Sequence, residues 1–505
     1  MAHVSVATSN NDFRDYKDEK TAVPLEVNGV SKRKAAIGIL AAIIGGILAY
    51  FLLAPFTLAP GAAPDPTVLT PSGRGLAAIF VVALILWATE AIPIAVTSLL
   101  MIVLPPLLTV VPSIRAAAVG FTTPVVFFVI GTYCLAFAIV DCGVGRRFAL
   151  WLFAHAGTTT KGALLALMIA SAVMSALVSD VPACAIGMAL AIPVLNKLNI
   201  KPGSSNIGKA MMMGIPIAAL TGGVATPAGS SINILGLNLL KKAAGIDVGF
   251  LHWMALGIPM VLILIPFAWW ALLKCYPPEI ESMGDTSEFK EELRSMGKFS
   301  VSEKKVLTIL AILFVLWIAS TWIKQIDVAT VSILGAVAMF LPGLNLLKWR
   351  DAEAAIGWET VLMIGSVISL GIAASDTGLA ACLVKNTLGG ITGWNIVLLV
   401  AMISAFAVIL HLPLPIAPAI NAVLIPAMVV LAKDAGFNPA IFALPVAFTA
   451  SCAFLLPLEA VCLVTYSKGY YRMLDMFLPG TLISIAWVIV MTAVMFLIGP
   501  MVGFG

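Results

Sequence analysis

Ser175-Ala-Leu-Val-Ser179-Asp180-Val181-Pro182 interrupts a stretch that is otherwise apolar from Gly162 to Leu195. Each apolar arm beside this interruption is about 14–16 residues long, whereas a helix needs about 20 residues to cross a bilayer. Proline lacks an N–H group and a carboxylate is costly in hydrocarbon, so one straight helix does not continue through this point. Two short apolar arms around a polar tip therefore predict a re-entrant hairpin within a membrane.

A second apolar stretch, from Asn395 to Ala432, has the same organisation. It is interrupted by His411-Leu-Pro-Leu-Pro-Ile-Ala-Pro418, and three prolines so close together cannot continue a helix. We therefore expect a second hairpin, whose tip lies near Leu412–Pro418.

Two further apolar segments contain helix-breaking residues in their middle. Lys209–Leu240 contains Thr221-Gly-Gly followed by Thr226-Pro-Ala-Gly-Ser-Ser-Ile-Asn233. Ala443–Ser467 contains Ser451-Cys-Ala-Phe-Leu-Leu-Pro-Leu-Glu459. Backbone freed from helical bonding inside a membrane must be buried in protein or line a wet cavity. A single break would be explained by a kink, but matched pairs of breaks predict two broken helices beside a polar site.

The composition indicates a protein that crosses the membrane many times. Of 505 residues, 61% are hydrophobic and only 11% are charged, whereas a water-soluble domain carries about 25% charged residues. Stretches that can span on their own are 35–56, 75–92, 93–112, 119–141, 252–274, 306–323, 328–347, 357–379 and 476–499. With the interrupted segments, they predict an all-α polytopic membrane protein with about 11 transmembrane helices.

Three short sequence matches reveal an internal repeat. The matched pairs are Gly120-Phe-Thr with Gly357-Trp-Glu, Asp141-Cys-Gly with Asp376-Thr-Gly, and Ile192-Pro with Ile425-Pro. Their offsets are 237, 235 and 233 residues. Because five full crossings separate corresponding elements, the two halves are expected to have opposite orientations. Inverted repeats with matched broken segments are typical of secondary transporters whose binding site lies at the middle of the bilayer.

The repeat divides the chain into five expected parts. They are a cytoplasmic N-terminal tail (1–34), the first transmembrane helix and outer loop (35–74), the first inverted repeat (75–276), a cytoplasmic linker (277–302) and the second inverted repeat (303–505). Basic clusters at 32–34, 146–147, 304–305 and 348 with 350 fall on the cytoplasmic side if the N-terminus is inside, in agreement with the positive-inside rule. We therefore expect a multi-pass protein of the bacterial inner membrane with a cytoplasmic N-terminus.

The tip of the first hairpin carries candidate ligands. Ser175 and Ser179 are four residues apart, so on a helix they would share one face that points toward the tip. Asp180 follows them, and an acid inside the membrane is a functional candidate by default. It either binds a cation or proton, or it caps the free N–H groups of the second arm.

The breaks supply further candidates. Gly229-Ser230-Ser231 offers two hydroxyls and the positive end of a half-helix, a combination that suits an anionic group. Asn233 is placed to tie the unwound segment through side-chain bonds to the backbone. Glu459 occupies the second break, where it could hold a proton or cation or could bond free amides. For His411, titration and a structural role both remain open.

No metal or cofactor site is expected apart from sodium ions. The seven cysteines lie in or beside apolar segments without a CxxC pair, and the four histidines form no metal-binding spacing. The sequence likewise gives no indication of a nucleic-acid partner.

The combined pattern resembles the divalent anion/sodium symporter family, which includes dicarboxylate, citrate and sulfate carriers. The likeness covers about residues 75–500 and rests on Trp87-Ala-Thr-Glu-Ala-Ile-Pro93, the Ser175 to Val181 tip, the Thr221 to Asn233 break and Ser451-Cys-Ala-Phe-Leu-Leu-Pro457. This resemblance implies a small anionic substrate, a lipid environment, and a homodimer in which a transport domain moves past a scaffold by an elevator motion.

The hairpin tips depart from the family pattern. Family members carry Ser-Asn-Thr at both tips, whereas the first tip here reads Ser179-Asp180-Val181 and the second has no such triplet. The Thr-Pro-Pro-Asn stretch that follows each break in the family becomes Ser230-Ser-Ile-Asn233 and Ala460-Val-Cys-Leu463.

The resemblance assigns roles by position. It implies substrate contacts at Ser179, Asp180, Thr226, Ser230, Ser231 and Asn233. It implies a first cation site at Ser175, Ser179, Asp180 and Gly229, with Glu459 as the candidate cation or proton ligand of the second. Asp180 in place of asparagine adds a charge beside the anion, and repulsion at about 4 Å costs about 4 kcal/mol at an effective dielectric constant near 20. Asp180 is therefore protonated or cation-bound, or the substrate is less anionic than a dicarboxylate.

Three functional hypotheses follow. The first is a symporter for a small, dicarboxylate-like organic anion, coupled to sodium or protons. The second is an uncoupled anion exchanger, which the loss of one tip triplet favours. An intramembrane enzyme would need a catalytic pair, and the only candidate acids are Asp180 and Glu459, so we do not predict an enzyme.

Overall fold

The computed structural model describes residues 32–57, 68–155, 157–282, 287–323, 325–387, 393–414 and 416–504. Within these residues the chain forms 22 α-helices and no β-strand beyond two isolated bridges. The predicted all-α class is therefore confirmed. Pro415, in the second tip, and most of the predicted N-terminal tail lie outside the described residues.

Eleven α-helices precede the linker between the halves. They are α1 (Lys32–Leu52), α2 (Pro71–Thr89), α3 (Ile94–Leu107), α4 (Ile114–Ala117), α5 (Pro124–Asp141), α6 (Val144–His155), α7 (Thr160–Val178), α8 (Asp180–Lys197), α9 (Asn206–Gly223), α10 (Ser231–Ala244) and α11 (Phe250–Cys275).

Eleven more follow, beginning with a short helix inside the linker. They are α12 (Ser287–Ser295), α13 (Val301–Ala319), α14 (Val328–Phe340), α15 (Trp349–Ala355), α16 (Trp358–Asp376), α17 (Leu379–Thr387), α18 (Ile396–Leu410), α19 (Ala417–Asp434), α20 (Ala440–Thr449), α21 (Ala460–Tyr466) and α22 (Phe477–Leu497).

Nine helical segments in the described part are long and apolar enough to cross a membrane. They are α1, α2, α5, α7, α8, α11, α16, α19 and the segment Met473–Leu497 that contains α22. Helix α11 illustrates how such a helix has one buried face and one exposed face. Trp253 and Met260 are fully buried, whereas Leu262 is 69% exposed on the outer face. An apolar side chain exposed to that degree is suited to lipid rather than water.

The first hairpin consists of α7 and α8, joined by Ser179 alone. Its arms contain 19 and 18 residues, so the estimate of 14–16 residues was wrong. Helix α7 begins earlier than expected because the hydroxyl of Thr159 accepts a hydrogen bond from the N–H of Gly162 at 3.1 Å and caps the first turn. Helix α8 continues past Pro193 to Lys197, whose charge suits a helix C-terminus.

Both predicted broken helices are present. Helix α9 ends at Gly223, a short 3₁₀ turn covers Pro227–Gly229, and α10 begins at Ser231. In the second half, α20 ends at Thr449 and α21 begins at Ala460. We call the two unwound segments, residues 224–230 and 450–459, the first and second break.

The order of elements in the first half recurs in the second. Each half contains two helices, a short helix, a span, a second short helix, a hairpin, a broken helix and a final span. Trp253 on α11 donates its indole N–H to Val224 O at 2.8 Å, and Trp487 on α22 donates to Thr449 Oγ1 at 3.3 Å. Each final span therefore uses a buried tryptophan to supply a donor at its own half's break.

The two halves pack reciprocally. Helix α8 of the first hairpin contacts α21 of the second broken helix, and α19 of the second hairpin contacts α10 of the first. Cys184 Sγ lies 3.4 Å from Val461 O, and the Asn421 amide donates to Ile232 O at 3.1 Å across these two contacts. The tips and breaks of both halves therefore meet inside one bundle, as expected for inverted repeats with a shared central site.

Candidate functional site

Asp180 lies at the start of α8 with its carboxyl group inside the protein. It is 4% exposed, and its Oδ1 accepts a hydrogen bond from the fully buried Ser175 hydroxyl at 2.6 Å. The Ser230 side chain, from the first break, lies near enough to this carboxyl group to interact with it electrostatically. The polar neighbours of Asp180 are therefore side chains of α7 and the first break. This arrangement favours a ligand site over a cap for the N–H groups of α8.

Glycines bring backbone against this carboxyl group. A Cβ on Gly223 would lie 2.1 Å from Asp180 Oδ1 and 3.0 Å from Ser175 Oγ. A Cβ on Gly229 would lie 2.4 Å from Gly223 O. Both separations are closer than van der Waals contact, so the approach of the first break to the tip requires glycine at these two positions.

Ser179 forms the turn of the first hairpin in a strained conformation. Its φ is +134°, a region that non-glycine residues rarely adopt and that costs about 1–3 kcal/mol. Because it lies outside both helices, Ser179 does not share a helix face with Ser175 as the spacing suggested. Ser175 bonds Asp180, whereas Ser179 lines a small cavity together with Ser231.

This cavity has a volume of about 10 Å³, the space of roughly one water molecule. Its lining combines the first tip, the first break and a helix that the sequence did not suggest: Val129, Thr132, Tyr133, Ser179, Ala228 and Ser231. Val129, Thr132 and Tyr133 come from α5, whose apolar pattern looks like that of any buried span. Only their shared face, at i, i+3 and i+4, could have drawn attention to them.

Two side chains, Thr226 and Asn233, stabilise the first break through hydrogen bonds to backbone groups in it and beside it. The Asn233 amide donates to Gly223 O at 2.8 Å and to Thr226 O at 2.9 Å, which confirms the predicted tie. The Thr226 hydroxyl donates to Ala176 O at 2.7 Å and accepts from the Gly229 N–H at 2.9 Å. In this conformation both side chains therefore stabilise the break, although both were predicted to contact substrate.

Helix α10 begins at the cavity. Ser230 is its N-cap residue, and its hydroxyl accepts from the Ile232 N–H at 3.4 Å. Ser231, the first helical residue, lines the cavity. The free N–H groups and positive dipole end of a 14-residue helix therefore point at this space, where they would stabilise an anion.

Glu459 ends the second break and is 8% exposed. Its Oε2 is buried without a hydrogen-bond partner in the described structure, and it lies within electrostatic range of Asp180. Among the described residues, the recorded ion pairs of lysine and arginine leave both acids without a basic partner. Two buried acids within electrostatic range of each other cannot both be ionised cheaply without a cation, so this pair is suited to holding a proton or a cation.

Asn421 is a further polar residue that the sequence analysis did not single out. It lies on α19, is fully buried, and leaves its Oδ1 without a hydrogen-bond partner in the described structure. Asn233 Oδ1 is buried in the same way. The signal that could have found Asn421 is a lone amide within a helix that is otherwise apolar up to Lys433.

Comparison with known proteins gives one consistent picture. The family described as "Sodium:sulfate symporter transmembrane region" matches residues 46–504. A membrane protein of Cupriavidus necator is 26% identical over 459 residues, covering 86% of this chain and 89% of the relative. The sodium-dependent dicarboxylate transporter SdcS of Staphylococcus saprophyticus is 27% identical over 458 residues, covering 84% and 87%.

A solved structure has a similar fold. The YdaH transporter of Alcanivorax borkumensis aligns over 92% of this chain and 98% of its own, with a TM-score of 0.52 and 11% sequence identity. At this identity the likeness concerns the fold alone.

The family match covers nearly the whole described bundle, including both hairpins and both breaks. The protein is a multi-pass membrane transporter, as predicted, and the prediction that it is not an enzyme is confirmed by its family. The chain belongs to the sodium:sulfate symporter family.

Proposed function

We propose that this protein is a secondary active transporter that moves a small, dicarboxylate-like organic anion, coupled to sodium or protons, by an elevator motion. It acts as a homodimer in a bacterial inner membrane with its N-terminus in the cytoplasm. The observation that carries the coupling is the pair Asp180 and Glu459, two buried acids from opposite halves that lack a basic partner among the described residues.

The anionic substrate and the two ionised acids carry charges of the same sign and therefore repel each other. A dianion bound beside Asp180 meets a repulsion of about 4 kcal/mol per charge pair at 4 Å and an effective dielectric constant near 20. A cation or proton at Asp180 removes this repulsion, so that cation and anion bind more tightly together than apart. Such reciprocal coupling is the thermodynamic requirement of a symporter.

Oxygen atoms around Asp180 suit a small hard cation. The Asp180 carboxyl and the Ser175 hydroxyl lie 2.6 Å apart, the backbone of Gly223 approaches them closely, and Gly229 packs against Gly223. Unwound backbone and carboxylate oxygens are the groups with which broken-helix transporters hold sodium or protons. The predicted first cation site of Ser175, Ser179, Asp180 and Gly229 therefore remains our proposal, with Glu459 as the ligand contributed by the second half.

The anion is placed at the start of α10. Ser179 and Ser231 line the cavity there, and the neighbouring Ser230 interacts electrostatically with Asp180. Serine hydroxyls and a helix N-terminus provide donors for a carboxylate. Thr226 and Asn233 fix the shape of this site and contact the substrate only if the first break rearranges.

The size of the cavity supports a moving mechanism. A space of about 10 Å³ holds one water molecule, not a dicarboxylate. Substrate entry therefore requires the first tip to separate from the first break and α5. If α5 belongs to the scaffold, this separation is the opening step of an elevator cycle. The dimer and the elevator are supported by resemblance to the family.

Reconstituted vesicles test the proposal directly. Uptake of labelled succinate, malate, citrate and sulfate would be measured under an inward sodium gradient, an inward proton gradient and no gradient. Asp180→Asn and Glu459→Gln would be compared with wild type. Asp376→Asn is the matched control because Asp376 also ends a span but is exposed. Neutralising either buried acid is expected to lower gradient-driven accumulation about tenfold, or 1.4 kcal/mol, whereas the control stays unchanged.

Three outcomes would contradict parts of the proposal. Accumulation that persists undiminished in both acid variants would remove the acids from coupling. Uptake that ignores both gradients and depends only on anion inside the vesicle would identify an exchanger instead. Preference for sulfate over every carboxylate would replace the substrate class.

A further inference from the structure

The tip of the second hairpin contains a buried histidine that the proposed function does not use. His411 follows the last residue of α18 and is 5% exposed. The residues that follow, Leu412 to Leu414, lead into the proline-rich tip. His411 therefore occupies, in the second half, the end of the entering arm, where the first half has Ser175 and Ser179.

Both ring nitrogens of His411 face backbone carbonyl oxygens. Nδ1 lies 2.9 Å from Ala407 O, and Nε2 lies 3.0 Å from Ala450 O. A carbonyl oxygen only accepts, and a neutral imidazole has only one N–H group, so one of these contacts would then set lone pair against lone pair. A doubly protonated ring makes both contacts hydrogen bonds. Its charge also complements the negative end of α18.

These contacts join two elements that belong to the site. Ala407 lies on the arm of the second hairpin, whereas Ala450 is the first residue of the second break. Ala450 in turn packs in one buried cluster with Ala417, at the start of α19, and Ile232, at the start of α10. A proton on His411 therefore tightens the contact between the second tip and the second break, next to the helix that faces the anion.

Few titratable groups lie on the elements that pack against this ring. Helices α18, α20 and α22 contain no Asp, Glu, Lys, Arg or further His. Helix α19 contains two charged residues, Lys433 and Asp434, and both lie at its far end. The second break adds Cys452, whose Sγ lies 3.6 Å from Ser484 Oγ, and Glu459. Among these elements, His411 is the group next to the second tip that can gain a positive charge.

We propose that His411 is a proton-binding site of the second half, so that one ion coupled to anion transport is a proton carried on its imidazole ring. This inference rests on the proposed function and specifies its coupling ion. A proton from water binds the unprotonated ring nitrogen of His411 when the tip closes on the break. It returns to water on the opposite side when the contact opens, and no other reactant is needed.

Vesicles that contain a trapped pH dye test the transport step. Addition of external anion under a sodium gradient without a pH gradient should acidify the interior of wild-type vesicles. In His411→Gln the acidification per anion transported should fall at least about fivefold, because glutamine can bond but cannot carry a proton at pH 5–8. His155→Gln is the matched control, since His155 Nδ1 also contacts the carbonyl four residues earlier, at 2.7 Å, but lies exposed. Equal acidification in His411→Gln and wild type would overturn the proposal.

A spectroscopic measurement on the wild type keeps the proposal testable if His411→Gln fails to fold or transport. Ring ¹⁵N signals of the four histidines would be assigned by single His→Gln substitutions, with His411 by elimination if needed. Two protonated ring nitrogens on His411 at the acidic end of the range pH 5–8, and one at the other end, support the proposal. A single protonated nitrogen across the whole range overturns it. If wild-type vesicles neither accumulate nor exchange any anion, the proposed function fails, and this titration alone decides whether His411 binds a proton.

Discussion

The two breaks perform the same structural task with different chemistry. The first contains Gly229, follows Gly222 and Gly223, and lies against the carboxyl group of Asp180. The second, from residue 450 to residue 459, contains no glycine and turns through Pro457, and it faces an imidazole ring. The backbone plan is thus repeated, whereas the groups that could bind an ion are not. From this difference we expect the two halves to bind different partners.

The two breaks also satisfy their free backbone groups differently. Asn233 supplies two donors to carbonyls at the first break, those of Gly223 and Thr226, whereas Asn421 of the second half supplies its donor to Ile232 on α10 rather than to its own half's break. Each break receives a tryptophan N–H, but only Trp253 reaches a backbone carbonyl. The first break is therefore the more tightly specified of the two. Four tests sharpen this comparison.

The largest effect is expected at Gly223. In Gly223→Ala the new Cβ would lie 2.1 Å from Asp180 Oδ1, so the tip and break must shift apart. Overpacking of this kind costs about 1–3 kcal/mol, which would lower vesicle uptake by one to two orders of magnitude. Gly393→Ala is the control, because no atom lies within 4 Å of its Cβ position. Wild-type uptake by Gly223→Ala would show that the close approach is unnecessary.

The second test compares the two buried asparagines. Asn233→Leu removes a donor from two carbonyls and Asn421→Leu removes one, at about 0.5–1.5 kcal/mol for each hydrogen bond lost. Thermal unfolding in detergent should therefore show a lower midpoint for Asn233→Leu than for Asn421→Leu. The reverse order would mean that the contact between the halves depends more on its asparagine than the first break does.

The third test compares the two tryptophans, and the effect is smaller because phenylalanine preserves most of the packing. Trp253→Phe keeps an aromatic ring against Phe448, with which Trp253 stacks at a centroid distance of 3.9 Å, but removes the bond to Val224 O. This loss should cost about 1 kcal/mol, and Trp487→Phe should cost less because the Thr449 hydroxyl can turn to another acceptor. Equal unfolding midpoints for the two variants would contradict this distinction.

The smallest effect concerns the helix starts that precede the breaks. Glu279 accepts hydrogen bonds from the N–H groups of Asn206 and Ile207 at the start of α9, whereas neutral Asn438 accepts from the Ala440 N–H at the start of α20. Partial burial raises the pKa of Glu279, but these N–H groups and the Ser205 hydroxyl outweigh it, so the pKa lies below its usual value.

A carboxyl group with a lowered pKa stabilises the folded state above its unfolded pKa of about 4.3, and this stability is lost as the pH falls through the lower folded value. The difference in unfolding midpoint between wild type and Glu279→Gln should therefore be constant from neutral pH down to about pH 5 and then shrink. Asn438→Ala should differ from wild type by the same amount at every pH. A difference that stays constant below about pH 5 would show that the charge of Glu279 adds nothing to its hydrogen bonds with these N–H groups.

Local sequence signals were sufficient for the element order and for the positions of the breaks. Pro182, the prolines near His411 and the glycines after Thr221 favour a helix boundary where they cluster with other helix-breaking or polar residues, so these breaks can be located without tertiary structure. The length of the hairpin arms was misjudged. The cap at Thr159 lies in a polar segment, and the hydropathy of the arm does not report it.

The candidate site was predictable only in part. Asp180 and Ser175 are close in sequence, so their contact follows from the tip alone. The cavity also needs Tyr133 from α5, and the proximity of Asp180 to Glu459 depends on how two distant halves pack. The environment of His411 likewise involves Ala450, 39 residues away. Such contacts are set by tertiary packing and leave no periodic pattern in one sequence.

The reciprocal packing of the halves has a consequence for how such a chain could arise. Because α8 lies against α21 and α19 lies against α10, each half completes its site only with segments of the other. An ancestral gene that encoded one half would have produced a working site only by pairing two copies inserted in opposite directions. Fusion of two such genes would join that antiparallel pair in a single chain. Each copy would then be free to diverge, one toward serine, aspartate and glycine and the other toward proline and histidine.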